Sequence, residues 1–192
     1  MLKKKLQYKK IISCICLLTM CLALVSGCGQ KKDKNGSEIS DDGRSYGGEI
    51  NAGMKETVST AFFDVTVDKA EKYNTFQFQD GLYQADSGMV YLSVTLTIKN
   101  TYDENLSMSI TDFTLDYDGS KSGDIITGYG NNDLQQDDYM DNLFTLKKGE
   151  SITKSILFTV ADKDAYTLSY QEYYEDKFEG NLFKIELQPE AQ

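Results

Sequence analysis

The sequence has no histidine and no tryptophan, one arginine (Arg44) and one proline (Pro189). Without histidine, the usual zinc sites and the Ser–His or Cys–His nucleophile pairs cannot be assembled. Arg44 lies in a polar stretch ahead of the hydrophobic part, so the expected folded region carries no bidentate clamp for carboxylate or phosphate. Cysteine is nearly absent as well. Cys14, Cys16 and Cys21 sit in an apolar leader, and Cys28 follows it. Once the leader is set aside, one thiol remains, which excludes an intramolecular disulfide and leaves stability to the core. No stretch keeps a helical hydrophobic period beyond one or two turns.

What is abundant is acid. The formal charge of the 192 residues is −10, and it becomes −15 when the five lysines of the leader are set aside. Such a chain is a poor partner for nucleic acid, where affinity comes from Lys and Arg on phosphates. It is also a poor match for an anionic bilayer over a broad face. Its surface suits solubility outside the cell.

Residues 1–27 have the layout of a secretory signal. Lys3, Lys4, Lys5, Lys9 and Lys10 precede an uncharged apolar run over 11–25, and small residues Ser26 and Gly27 follow. The apolar run is short of the ~20 residues that cross ~30 Å of hydrocarbon. Val25-Ser26-Gly27-Cys28 resembles the lipobox of bacterial lipoproteins: an aliphatic residue, two small ones and a cysteine. That resemblance implies cleavage between Gly27 and Cys28 and a thioether-linked diacylglycerol, with palmitate-type chains, on Cys28. Two acyl chains anchor stably where one is marginal. An ordinary signal peptide cut nearby, or an uncleaved anchor, are the alternatives. The expected location is the outer face of a bacterial cell membrane, and no other cofactor is expected. Residues 28–56 are polar and glycine-rich, read as a disordered linker of about 30 Å root-mean-square span.

From residue 57 to 190 the period is two. Val90, Leu92, Val94, Leu96 and Ile98 alternate with Tyr91, Ser93, Thr95, Thr97 and Lys99, as in a half-buried strand with one wet face. The segments 57–69 and 151–160 do the same. Shorter strands are expected at Leu106–Ile110, Phe113–Tyr117, Asp124–Tyr129, Asn142–Leu146, Thr167–Tyr170 and Leu182–Leu187, with turns at Asp118-Gly119 and Lys147–Glu150. The fold class is therefore all-β: an antiparallel sandwich of two sheets. The order Val90–Asn100, then Ile110-Thr-Asp-Phe-Thr-Leu115, then Leu146-Lys-Lys-Gly-Glu-Ser151 running into Ile156-Leu-Phe-Thr-Val160, resembles the "immunoprotective extracellular" domain of secreted bacterial proteins and lipoproteins. The resemblance covers about residues 58–188 and implies an immunoglobulin-like sandwich without assigned general function. Lys148 stands where proline usually precedes the turn glycine.

No motif carries catalytic chemistry. Asp116, Asp118 and Asp124 suggest a loose calcium site, but the EF-hand pattern fails, with Lys121 and Thr127 where glycine and glutamate are required. The same acids suit a solvated hairpin tip. Tyr166, Tyr170, Tyr173 and Tyr174, together with Tyr129, Tyr139 and the polar 129–141 loop, form the candidate binding surface, since tyrosine is enriched at recognition surfaces. Tyrosine is equally an ordinary strand residue. The expected function is a membrane-anchored, non-enzymatic module whose partner is an extracellular protein, wall polymer or ligand. The alternatives are an enzyme or accessory subunit acting on extracellular polymers through carboxylates, and a calcium-stabilised surface protein.

Overall fold

The alternation over 89–100 forms the central strand of the domain. The computed structural model describes residues 36–117, Leu134 and residues 137–192. In chain order the strands are β1 (Glu38–Ile39), β2 (Ser45–Tyr46), β3 (Glu49–Gly53), β4 (Thr57–Ser59), β5 (Phe63–Tyr73), β6 (Thr75–Phe78), β7 (Gly81–Gln84), β8 (Met89–Asn100), β9 (Leu106–Ser109), β10 (Phe113–Asp116), β11 (Leu143–Leu146), β12 (Ser151–Ala161), β13 (Tyr166–Tyr173), β14 (Glu179–Leu187) and β15 (Glu190–Ala191). A 3-10 turn, Ile110–Asp112, joins β9 to β10.

One sheet has the order β12-β8-β5-β15, with β4 folded back on β5. β8 and β12 are antiparallel in unbroken register from Lys99 opposite Ser151 to Met89 opposite Ala161. β5 flanks β8 on the other side, with a register shift between Val67 and Lys69. The second sheet has the order β10-β13-β14-β3, antiparallel except for β3, which runs parallel to β14. The neighbours β5-β8-β12 in one sheet and β10-β13-β14 in the other face a common core. The expected all-β sandwich is therefore the fold.

Alternation explains why the sheets stack. Val90, Leu92, Val94, Leu96 and Ile98 of β8, with Phe63, Val65 and Val67 of β5 and Ile156, Phe158 and Val160 of β12, lie in one buried cluster. Phe113, Leu115, Tyr166, Leu168, Phe183, Ile185 and Leu187 join it from the other sheet. Each fully buried side chain of this size contributes about 1.5–3 kcal/mol, enough in sum to hold a domain without disulfides. Tyr166, at the start of β13, is buried with its polar end satisfied. Its hydroxyl donates to the Ala161 carbonyl at 2.8 Å and accepts from the Lys163 N–H at 3.0 Å. This reach back across the corner between β12 and β13 ties the two strands together.

Two expectations need correction. The polar face of β8 is dry over its first half. Tyr91 there is buried with Phe76, Leu134, Tyr139 and Leu157 in a second cluster, covered by the β6–β7 hairpin. That hairpin escaped the reading at Phe76-Gln-Phe78 because its strands are four residues each and only Phe76 and Phe78 carry the period. The second correction concerns the linker. Residues 38–53 were expected to be disordered, yet β1 and β2 pair, and β3 joins the second sheet. An edge strand needs little hydrophobic pattern, and Ile50 and Ala52 supply enough by packing on the main core. Gly48 allows close approach: its N–H donates to Asn181 Oδ1 at 3.0 Å, and a Cβ there would run into Ser37. The leader with Gly27 and Cys28, the linker up to residue 35 and the strand expected at 124–129 lie outside the described residues.

Candidate functional site

The loop joining β8 to β9 and the turn joining β13 to β14 stand at the same end of the sandwich. Asn100, only 1% exposed at the end of β8, builds the first of them. Its Nδ2 donates to the Glu104 carbonyl at 2.8 Å and to the Leu146 carbonyl at 2.9 Å, and its Oδ1 accepts from the Tyr102 N–H at 2.8 Å. The Lys147–Glu150 turn closes against the same residue. Gly149, at φ +76°, donates its N–H to the Asn100 carbonyl at 3.1 Å, and the Asn100 N–H donates to the Glu150 carbonyl at 2.9 Å. Positive φ is the conformation glycine adopts without cost. Two of the segments that carry the family-like pattern, the end of 90–100 and Leu146–Ser151, thus meet at one hydrogen-bonded corner.

Below that corner runs a groove of about 830 Å³. Tyr102, Glu104 and Asn105 line it from the β8–β9 loop, Thr111 and Asp112 from the 3-10 turn, and Tyr170, Tyr173 and Glu175 from β13 and its turn. Tyr102 and Tyr173 are 41% and 56% exposed. Phe62 supports the Tyr102 ring edge-on at 5.5 Å between centroids. Asp112 holds the 3-10 turn by accepting from the Ser109 N–H at 2.8 Å, while Ser109 Oγ accepts from the Thr111 N–H at 3.2 Å. No Lys or Arg lines the groove among the described residues.

Behind the turn, Arg44 stacks on Phe178 at 4.1 Å and on Tyr174 at 5.0 Å from the ring centroids. Its Nη1 donates to both oxygens of Asp176, at 2.9 and 2.8 Å, and its Nη2 pairs with Asp42 at 2.7 Å. The bidentate clamp expected to be missing from the folded part is therefore present, because the segment that carries Arg44 is folded. The guanidinium holds Asp42 down to about 2 and also lowers Asp176. Glu172 is buried beside this clamp. It accepts from the Ala61 N–H at 2.7 Å and from the Asn181 N–H at 3.3 Å, which locks the β4–β5 connection to β14.

The sequence-based candidates separate. Tyr170 and Tyr173 line the groove. The Tyr170 ring packs on Phe63 at 4.8 Å, and burial together with the nearby Glu172 charge raises its hydroxyl pKa. Tyr174 lies under Arg44 and against Phe62 at 5.1 Å. Tyr139 and Tyr166 do not belong to the surface. Tyr139 is in the second core, with its hydroxyl 3.1 Å from Ser93 Oγ and pushed up to about 12 by burial, and Tyr166 ties the corner between β12 and β13. They were included because tyrosine in a strand shows no sign of which face it takes. Asp116 accepts from Ser169 Oγ at 3.2 Å. Tyr129, Asp118 and Asp124 lie outside the described residues. Among the described residues no group of three acidic or cysteine side chains could hold a metal. Tyr102, Phe62, Glu104 and Asp112 were missed as site residues. Their signal was the turn Lys99-Asn100 followed by an aromatic residue inside a polar loop.

The family model "Domain of unknown function (DUF4352)" matches residues 54–181. The chain belongs to this family. The match spans the DUF4352 domain from just after β3 into β14 and therefore contains every residue of the groove except Leu182. No curated protein matches the chain. Among solved structures, the Bacillus subtilis protein described as a "putative lipoprotein (ycdA)" aligns with a TM-score of 0.51 at 21% identity, over 69% of this chain and 38% of its own. At that identity the likeness is one of fold, and the chain spans little more than a third of that protein. The yjhA protein of Bacillus subtilis aligns at 16% identity over 70% of this chain and 98% of its own, with a TM-score of 0.49. A Staphylococcus aureus "putative lipoprotein" aligns at 13% over 81% and 96%, with a TM-score of 0.46.

Proposed function

We propose that the chain is a bacterial lipoprotein, anchored by diacylglycerol on Cys28, that displays a non-enzymatic binding module on the extracellular face of the membrane. The pattern Val25-Ser26-Gly27-Cys28 after a basic, apolar leader supports the anchor. The printed description of one structural neighbour, "putative lipoprotein (ycdA)", agrees with it. The sequence resemblance to the "immunoprotective extracellular" domain supports an immunoglobulin-like kinship, as does the strand order, in which β5-β8-β12 and β10-β13-β14 match the A-B-E and C-F-G pairings of such sandwiches.

One observation carries the binding role: Tyr102 and Tyr173 hold exposed rings on an open groove at the loop end of a rigid sandwich. Loops on such a scaffold are where recognition is usually built, and exposed tyrosine offers large contact area at little entropic cost. A carboxylate-only enzyme would need a proton-donating acid whose pKa is raised. Among the described residues, Asp42, Asp103 and Asp176 are lowered, by hydrogen bonds from Arg44 or Lys148, which is the signature of ion pairing. A photo-crosslinking phenylalanine analogue at position 102, used on intact cells, tests the role. A defined adduct that is absent when the analogue sits at exposed Leu82 supports the groove. Equal labelling at both positions, or none, removes it.

A further inference from the structure

We propose that the groove binds an extended peptide through its lysine or arginine side chains. This rests on the reading of the groove as the binding surface. Its charged lining consists of Glu104, Asp112 and Glu175. The described residues give none of the three an ion-pair partner. Two neighbouring cations are already occupied: Lys148 pairs with Asp103 at 2.7 Å, and Arg44 is held by Asp42 and Asp176. Among the described residues the groove therefore presents carboxylates that make no ion pair, beside two exposed tyrosine faces. A cation over such a face is attracted by the ring quadrupole and, at the same time, by the carboxylates. The net charge of −10 adds long-range steering of a basic partner.

Other extracellular ligands fit less well. An anionic wall polymer would meet three carboxylates and no Lys or Arg. A neutral glycan calls for a broad stacking ring and free amides. The chain has no tryptophan, and of the two amides on the groove, Asn105 and Gln171, the latter already directs its Nε2 at the carbonyls of Glu172, Gly180 and Asn181, each at 3.4 Å. A peptide suits the shape, because the lining runs from the β8–β9 loop past the 3-10 turn to Gln171 and Leu182 on β13 and β14.

The test titrates the full chain in mild detergent with an acetylated, amidated (Lys-Ala)4 peptide, its (Glu-Ala)4 counterpart and chitohexaose. The Lys peptide should bind and the Glu peptide should not. The double variant E104Q/E175Q, at two exposed positions, should weaken Kd at least tenfold, the equivalent of about 1.4 kcal/mol. The charge-matched pair E186Q/E190Q, exposed on β14 and β15, should change it less than twofold. Equal weakening by both pairs would mean diffuse attraction to an acidic protein and would overturn the proposal. Chitohexaose binding lost in Y102A/Y173A, without peptide binding, would overturn the ligand class and leave the groove as the binding surface. Binding of no probe would also overturn the ligand class, and the crosslink at position 102 then decides whether the surface reading fails with it.

Discussion

Replacing Asn100 with alanine should destabilise the domain. Its side chain makes three hydrogen bonds from a position 1% exposed, to the Glu104 and Leu146 carbonyls and from the Tyr102 N–H. At about 0.5–1.5 kcal/mol net for each of the three bonds, the direct loss is about 1.5–4.5 kcal/mol. The Leu146 carbonyl is left in a buried contact without that donor, which lifts the total off the lower bound, to about 2–4 kcal/mol. For a domain of this size each kcal/mol moves Tm by about 2–4 °C, so a fall of about 5–15 °C is expected. Urea unfolding followed by far-UV circular dichroism measures it, with an unchanged m-value showing that the variant still folds to the same extent. N100D is the sharper comparison. It keeps the acceptor for Tyr102 but sets a carboxylate against two carbonyl oxygens, so it should fall at least as far as N100A. A loss below about 0.5 kcal/mol in N100A would refute the view that this residue builds the corner.

Three further outcomes follow from the same geometry. In G180A the new Cβ would overlap the Glu172 carboxylate and pull it off the Ala61 and Asn181 N–H groups, so urea unfolding should show a loss of about 2–4 kcal/mol. Asp42 has a folded pKa of about 2 against an ordinary 3.8, so the stabilisation from its pairing with Arg44 is complete above the ordinary value and is lost as pH falls toward 2. Carboxyl NMR should give an Asp42 midpoint near 2 that returns toward 3.8 in R44M, and an unmoved midpoint in that variant would contradict the clamp. C28S should keep its leader uncleaved and carry no diacylglycerol, and a variant that stays membrane-bound and matures normally would contradict the lipid anchor.

The two sheets were legible because both inner faces follow a strict period of two, as Val90 to Ile98 in one sheet and Phe183 to Leu187 in the other show. That period says which side of a strand is apolar but not what covers the opposite side. Tyr91 and Tyr139 read as polar-face and loop residues, and both are buried by a hairpin whose own period is too short to stand out. The segment around Arg44 reads as linker by composition. It folds because β3 adds to an existing edge, and Arg44 finds, besides the local Asp42, one carboxylate and two rings about 130 residues away in sequence. Long-range pairing of this kind leaves no local pattern. The groove was half legible. Tyr170 and Tyr173 stood out in an aromatic cluster, whereas Tyr102 and Glu104 become site residues only because Asn100 folds their loop over the same end of the sandwich.

Amide NMR on the full chain, titrated with the (Lys-Ala)4 peptide, tests the central claim most directly. Saturable shifts should concentrate at Tyr102–Met108, Thr111–Thr114, Tyr170–Glu175 and Leu182, which line the groove. Shifts centred instead on the β6–β7 hairpin, or spread evenly over acidic residues on every face, would contradict the account.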